Sequence, residues 1–265
     1  PDVDPGTHPY ISTGLKKNKF GIPADQAMEA YRFAHAMDMV DVVGIDFHIG
    51  SQITRTGPFV DAVKSVMELV RALKSEGMDV KYLDIGGGLG IPYTDEEPPL
   101  PAEYAEAVGK ELADAGLSVI LEPGRAMVGN AGVLVTRVLY NKSGAKNFIV
   151  ADAGMNDLLR PSIYQAYHAV LPVKKNTRAT ITADVVGPIC ESGDFLAKDR
   201  DMPPAQPGEL LSVMSAGAYG FVMASNYNSR PRPAEVLVSG GEFAVVRERE
   251  TREDLVRGES VPEFL

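Results

Sequence analysis

The sequence is poor in the residues that most often announce a chemistry. Cys190 is the single cysteine among 265 residues, so no internal disulfide can form, and no Cys/His cluster shows zinc-ligand spacing. No metal is expected. Basic residues are outnumbered, 26 Lys and Arg against 36 Asp and Glu. The resulting formal net charge of −10 argues against a nucleic-acid binder, which carries a basic excess. No apolar run approaches the ~20 residues that cross a bilayer, and no basic-then-apolar leader opens the chain. Together these absences fit a protein of the reducing cytoplasm with no membrane partner. An initiator methionine is lacking too: the opening Pro1-Asp2-Val3-Asp4-Pro5-Gly6 reads as the middle of a loop, or as a processed or engineered terminus.

What is present suffices for a sizeable core, with 45% hydrophobic residues, in one large domain or two modest ones. Up to about Gly129 strand and helix alternate. Asp41 to Phe47, Val80 to Ile85 and Leu117 to Leu121 read as short strands. Ala24 to Met37, Pro58 to Glu76 and Pro101 to Ala115 read as helices. In the second helix Phe59, Val63, Val66, Met67, Val70 and Leu73 repeat with helical period, with Pro58 at the start and Gly77 at the stop. This order implies βαβ units and a parallel sheet. Beyond Gly129 the period changes. Val133 to Tyr140, Phe148 to Ala151, Thr180 to Val186 and Glu209 to Ser215 are strand-like. Glu235 to Val238 and Phe243 to Arg247 form a hairpin about Ser239-Gly240-Gly241. Asp201 to Pro207 is a Pro-rich loop. The expected fold is a partial β/α barrel (residues 1–131), followed by a C-terminal antiparallel β domain (residues 132–265).

Side chains alternate along a strand, so Gly44, Asp46 and His48 share a face, as do Tyr82, Asp84 and Gly86, and Ile120 and Glu122. Polar groups gather near the C-terminal ends of successive parallel strands, where α/β folds bind ligands. The turns that follow are His48-Ile49-Gly50-Ser51, Gly86-Gly87-Gly88-Leu89-Gly90 and Pro123-Gly124-Arg125. Glycines let backbone N–H groups approach an anion; with a hydroxyl and an arginine they suggest a phosphate site. Taken alone, GGGLG is equally a tight packing turn, and no helix follows as a dinucleotide fingerprint demands. A carboxylate at Glu122 makes sense against a protonated ring nitrogen, or else pairs with Arg125; His48 could lie against the same ring. Phosphate, aromatic ring and protonated nitrogen together describe pyridoxal phosphate.

The segments FHIGSQI, LDIGGGLGIPY, ILEPGRAMVG, GPICESGDFL and GAYGFVMASNYNSRPRPAEVLV resemble, in order and along nearly the whole chain, the diaminopimelate decarboxylases. These belong to the fold-type III, alanine-racemase-like pyridoxal phosphate enzymes. Ornithine and arginine decarboxylases share the glycine turn and the Glu-Pro-Gly-Arg, whereas AGMNDLLRPSIYQAYH is similar to the diaminopimelate branch. The resemblance implies that His48 stacks on the cofactor ring and that Glu122 pairs with its nitrogen. It implies that Ser51, Gly87, Gly88, Gly124 and Tyr219 hold the phosphate, with Arg125 also at the cofactor. Arg125, Arg160, Tyr164 and Tyr219 would meet the substrate. It further implies a homodimer in which Cys190 and Glu191 reach the partner's site. There the Cys190 thiol returns a proton after carbon dioxide departs, and Glu191 recognises the distal amino group. The bland alternative for Cys190 is a small buried apolar residue.

The implied reaction is decarboxylation of meso-2,6-diaminoheptanedioate to L-lysine, the last step of lysine biosynthesis. The family also holds its cofactor through a lysine on an early barrel strand, and no lysine here fits. Lys16, Lys17 and Lys19 fall in a loop, Lys64, Lys74 and Lys110 on helices, and Lys81 begins a strand. About three βα units precede the β domain, against eight in a closed barrel. The chain is therefore expected to be the C-terminal part of such an enzyme, marginally folded and inactive alone. The alternatives are a related ornithine- or arginine-type decarboxylase, against which Arg160, Tyr164 and Glu191 argue, and a non-catalytic fragment that keeps the pocket, against which Cys190-Glu191 argues.

Overall fold

The computed structural model describes residues 1–4, 6–8, 11–14 and 18–265; Lys16 and Lys17 lie outside the described residues. The chain divides into two compact units, Pro1–Gly129 and Asn130–Leu265.

In the first unit the order is α1 (Ala24–His35), β1 (Gly44–Asp46), α2 (Gly57–Ser75), β2 (Tyr82–Asp84), α3 (Pro101–Leu112), β3 (Ser118–Ile120) and α4 (Arg125–Val128). The strands form a parallel sheet in the order β1-β2-β3, in a register that sets Asp46 beside Asp84 and Asp84 beside Ile120. The strands, α1 and α3 are shorter than their periodic stretches, whereas α2 keeps its full length and starts one residue earlier; pairing outruns the strands. Lys81 and Tyr82 donate to the Val43 carbonyl, and Glu122 donates to that of Gly86 at 2.8 Å.

Helix α2 carries the packing. Phe59, Val63, Val66, Met67, Val70 and Leu73 are all buried, in one core with Ile45, Phe47, Leu83 and Ile85 of the strands. Each such side chain contributes about 1.5–3 kcal/mol when fully buried. Phe59 meets Tyr104 of α3 edge-on, with centroids 4.8 Å apart. The helix ends where Gly77 and Met78 donate back to the carbonyls of Lys74 and Leu73, a C-terminal cap that stops further turns. Because alternate strand residues face α2, Asp46 and Asp84 are turned to the opposite face. Strand β3 is exposed at all three residues, and Leu121, Met127 and Val128 after it are exposed as well.

The second unit is built on a six-stranded sheet ordered β6-β9-β4-β5-β7-β8. Its strands are β4 (Leu134–Lys142), β5 (Phe148–Ala151), β6 (Val170–Pro172), β7 (Ile181–Val186), β8 (Phe195–Met202) and β9 (Leu210–Val213). Its edge strands β6 and β8 come back into contact, so the sheet curls nearly into a barrel around Val138, Ile149, Leu158, Val185, Leu196 and Leu211. The sheet is mixed, since β5 and β7 run parallel. The connection between them, which carries α5 (Arg160–Tyr164) and β6, is long enough to return the chain to the same end. Strand β8 takes in Asp201 and Met202, so the Pro-rich loop starts later than Asp201. The run Lys198-Asp199-Arg200-Asp201 hides this strand from a periodicity reading, because an edge strand tolerates charge on its open side. The hairpin β10 (Glu235–Ser239) and β11 (Glu242–Arg247) turns at Gly240-Gly241 with Ser239 opposite Glu242, and α6 (Arg252–Leu255) follows.

Candidate functional site

The first unit concentrates its polar side chains at the C-terminal rim of its sheet. The carboxylates of Asp46, Asp84 and Glu122 each offer an oxygen within 4.8 Å of the others. Partial burial pushes the Asp46 carboxyl up, with the charge of Asp84 adding to the effect and His48 opposing it. Asp84 is itself tied down, accepting from the Gly86 N–H at 2.9 Å.

His48 ends this row. Its Nδ1 accepts from the Gly87 N–H at 3.2 Å, so the proton of the neutral ring sits on Nε2. Gly87 thus spends its own N–H on the imidazole, and its contribution is closeness. A Cβ there would lie 2.2 Å from the Glu122 carbonyl oxygen. At Gly88, φ is +105° and a Cβ would fall 2.3 Å from the Gly50 carbonyl oxygen. Glycines therefore bring three consecutive rim turns into van der Waals contact, with His48 and Glu122 on either side of Gly87.

The Ser51 turn is fastened to the glycine turn by its backbone. Ile53 donates to Gly88 and Gly90 donates to Ile53, while the Gln52 amide accepts from the Ile91 N–H and donates to the Ile91 carbonyl at 2.6 Å. Arg125, buried at the start of α4, donates from Nη2 to Ser51 Oγ at 3.1 Å and from Nη1 to Tyr93 Oη at 2.5 Å. Its positive charge thus lies beside the Ser51 hydroxyl, which accepts from it. Gly124 caps α4 immediately before it. Neither Gln52 nor Tyr93 was singled out from the sequence; a glutamine and a tyrosine next to glycine turns carry no signal until the turns meet. The described lysines of this unit are committed elsewhere: Lys19 over the Phe20 ring, Lys64 to Glu111, Lys74 to the Ala115 carbonyl, Lys81 to Asp79 and Lys110 to Glu106. An open depression of about 500 Å³ between Thr54–Thr56 and Glu103–Lys110 shares no residue with the rim cluster.

In the second unit the sequence-derived residues occupy two loops and the short helix α5. Cys190 and Glu191 are exposed, which removes the buried-filler reading of the cysteine. Their loop is organised by a residue the sequence reading passed over. Asp194 is buried and accepts from the N–H groups of Ile189 at 2.6 Å and Met155 at 2.7 Å. Burial pushes its carboxyl up although those two N–H groups pull the other way. Glu191 Oε2 accepts from the Tyr227 hydroxyl at 2.6 Å. That bond, and then the negative charge of Glu191, raise the phenol of Tyr227.

Arg160 opens α5 and is buried, with Nη1 2.8 Å from His168 Nε2. Tyr164, half-buried, lies at the end of the same helix, where Gln165 turns left-handed with φ +52°. Tyr219 sits in the loop after β9 with φ +57°, exposed. Within this unit the three segments are linked: Ser162 of α5 donates from Oγ to the Gly193 carbonyl at 2.6 Å, and His168 lies between Arg160 and the Met214 carbonyl.

Residues 1–129 match the family model described as the pyridoxal-dependent decarboxylase, pyridoxal binding domain. The diaminopimelate decarboxylase of Aquifex aeolicus is 52% identical over 258 residues, which cover 97% of this chain and 61% of that protein. The enzyme of the same name from Neisseria meningitidis serogroup A is 54% identical over 260 residues, covering 98% and 64%. Among solved structures, diaminopimelate decarboxylase from Helicobacter pylori complexed with L-lysine superposes with a TM-score of 0.92 at 42% identity, covering 97% of this chain and 64% of that one. Lysine decarboxylase from Selenomonas ruminantium gives a TM-score of 0.74 at 27% identity over 83% of this chain. The chain spans 61% and 64% of the length of these two curated relatives. Rim motif, fold and relatives agree: residues 1–129 are a pyridoxal-binding domain of the pyridoxal-dependent decarboxylases, and the chain as a whole is similar to the diaminopimelate decarboxylases.

Proposed function

We propose that the protein carrying this chain decarboxylates meso-2,6-diaminoheptanedioate to L-lysine and carbon dioxide with pyridoxal phosphate, as a soluble cytoplasmic homodimer. The observation that carries the reading is the meeting of His48 and Glu122 across Gly87, beside the Ser51–Arg125 pair. An imidazole and a carboxylate on one rim suit an aromatic cation, and glycine turns with a guanidinium-backed hydroxyl suit a phosphate. When bound, the cofactor supplies an electron sink for the pair released as carbon dioxide leaves. Glu122 would keep a proton at the ring nitrogen, and His48 would lie against the ring face. Ser51 Oγ, Gly88, Gly124 and Tyr219 would hold the phosphate, with Gly87 setting the approach of the turns.

The remaining assignments concern the substrate. Arg160 and Tyr164 would bind carboxylate, with Arg125 and Tyr219 at the border between cofactor and substrate. The Cys190 Sγ proton would pass to the α-carbon, forming the C–H bond that replaces the C–C bond. Glu191, steadied by Tyr227, would take the distal ammonium. Their exposure supports a role toward a second copy of the chain. The division of labour falls to a barrel portion, 1–131, and a β domain, 132–265. Among the described residues no helix is long and apolar enough to cross a membrane.

The test is a substrate panel on the cofactor-loaded protein. Diaminopimelate is expected to turn over at least tenfold faster, by kcat/KM, than lysine, ornithine or arginine; the ~10-fold margin corresponds to one recognised charged group. Faster turnover of any of the other three would replace this reading with the corresponding decarboxylase. That replacement is favoured so far only by the likeness at 27% identity to a lysine decarboxylase.

A further inference from the structure

We propose that His168 is a positioning residue that locks the carboxylate-binding Arg160 and the Tyr219 loop into one hydrogen-bonded unit; this rests on the reading of Arg160 and Tyr219 as ligand-binding residues given above. His168 is fully buried, and Arg160 is 5% exposed. The imidazole lies between two partners: Arg160 Nη1 is 2.8 Å from Nε2, and the Met214 carbonyl oxygen is 2.8 Å from Nδ1. A guanidinium can only donate, so Nε2 accepts. A carbonyl can only accept, so Nδ1 carries the proton. Both contacts are satisfied by one neutral tautomer and by no other protonation state.

The two partners stand on different elements. Arg160 starts α5, whereas Met214 directly follows β9 and leads into the loop in which Ser215 and Tyr219 both take left-handed backbone, with φ +55° and +57°. Met214 also donates its N–H to the Ala169 carbonyl at 2.8 Å, so the His168 side chain and the main chain of the next residue grip the same strand end. The β6–β9 pairing that follows puts Val170 opposite Val213, which fixes the distance between them. One rigid ring therefore spans from the guanidinium to the loop root.

The choice of imidazole has a physical reason. A carboxylate in its place would also orient the guanidinium fork, but its negative charge would offset the positive potential that attracts a ligand carboxylate. A neutral acceptor orients the fork without adding negative charge. A longer, flexible amide would orient it with less rigidity, which makes His168→Gln the conservative replacement and His168→Phe the deletion. In His168→Asn the shorter amide can still donate toward Met214 but falls short of Arg160.

The experiment has two arms. First, in a spectrum of protein labelled with 15N-histidine, the pair of ring signals of His168 is assigned by its loss in H168Q. His168 is expected as the neutral Nδ1–H tautomer at neutral pH; a signal from the Nε2–H tautomer or from imidazolium overturns the proposal, independently of any activity. Second, KM and kcat for diaminopimelate are measured in the cofactor-loaded protein. R160Q is expected to raise KM most. H168N and H168F are expected to raise it roughly tenfold, the loss of one hydrogen bond to a charged group, with kcat within about twofold; H168Q is expected to stay within about threefold of the parent. Unchanged KM in R160Q would sink the reading of Arg160 itself. A raised KM in R160Q with an unchanged KM in H168N and H168F would sink the role of His168 alone. Should H168F fail to fold, H168N and the tautomer spectrum decide.

Discussion

The two units hold their candidate site residues by different means. In the first unit the rim is a backbone structure: glycines let neighbouring turns touch, and His48, Ser51 and Glu122 ride on the ends of paired strands. In the second unit the same kind of residue is held by side-chain clamps, Asp194 under the Cys190-Glu191 loop, Tyr227 on Glu191 and His168 on Arg160. A backbone rim fails when something is added, because there is no room; a clamp fails when something is removed, because a buried group loses its partner. The contrast predicts opposite sensitivities to substitution.

The largest effect is expected at Gly87→Ala. The new Cβ would overlap the Glu122 carbonyl oxygen, a main-chain atom that cannot rotate away, so a loss of about 3 kcal/mol or more is expected from forced backbone movement. Urea unfolding measures it, with Gly57→Ala as the control. A Cβ there meets nothing within 4 Å and should change stability by under about 0.5 kcal/mol. Equal effects of the two would mean that the rim turns do not pack as described.

Next is Asp194→Ala. It strands the N–H groups of Ile189 and Met155, and is expected to cost about 2–3 kcal/mol. Hydrogen exchange should show faster opening confined to residues 187–195 and 155. A uniform loss across the unit would mean that Asp194 supports the barrel rather than its loop.

The smallest effect concerns charge. Burial and the charge of Asp84 raise the Asp46 carboxyl. A carboxyl raised in the folded state keeps its proton there at pH values where the unfolded chain has already lost it. Stability therefore falls as pH rises from the ordinary Asp range through the raised value. Asp46→Asn removes that loss, so its Tm should exceed the parent's at neutral pH, and the gain should vanish in acid below the ordinary Asp range. A gain that persists in acid would point to packing instead of charge.

Much of the first unit was legible beforehand because its physics is local. Strand alternation put Asp46, Asp84 and Glu122 on one face, and α2 buried the six apolar side chains its period selected. The glycines of the rim could be named as close-approach positions, though not what they approach. In the second unit, legibility dropped. Strand β8 was hidden by its charged run and β6 by its length of only three residues. The parallel pairing of β5 with β7 depends on where a long connection returns. Asp194, Tyr227 and His168 carry no signal in the sequence because a clamp is defined by both its partners: Ile189 and Arg160 lie 5 and 8 residues from Asp194 and His168, but Met155, Glu191 and Met214 lie 39, 36 and 46 residues away.

By itself the sequence determined the alternation of helix and strand, the faces of those strands, the lack of a second cysteine to pair with Cys190, and the resemblance to a family. These follow from periodicity, residue chemistry and the order of motifs along one chain. Only the tertiary structure decided which atoms the key groups engage: Nδ1 of His48 on Gly87, Arg125 on Ser51 and Tyr93, and His168 between Arg160 and Met214. Hydrogen-bond partners distant in sequence are selected by the shared burial that removes water as an alternative partner, and burial is a property of the packed chain.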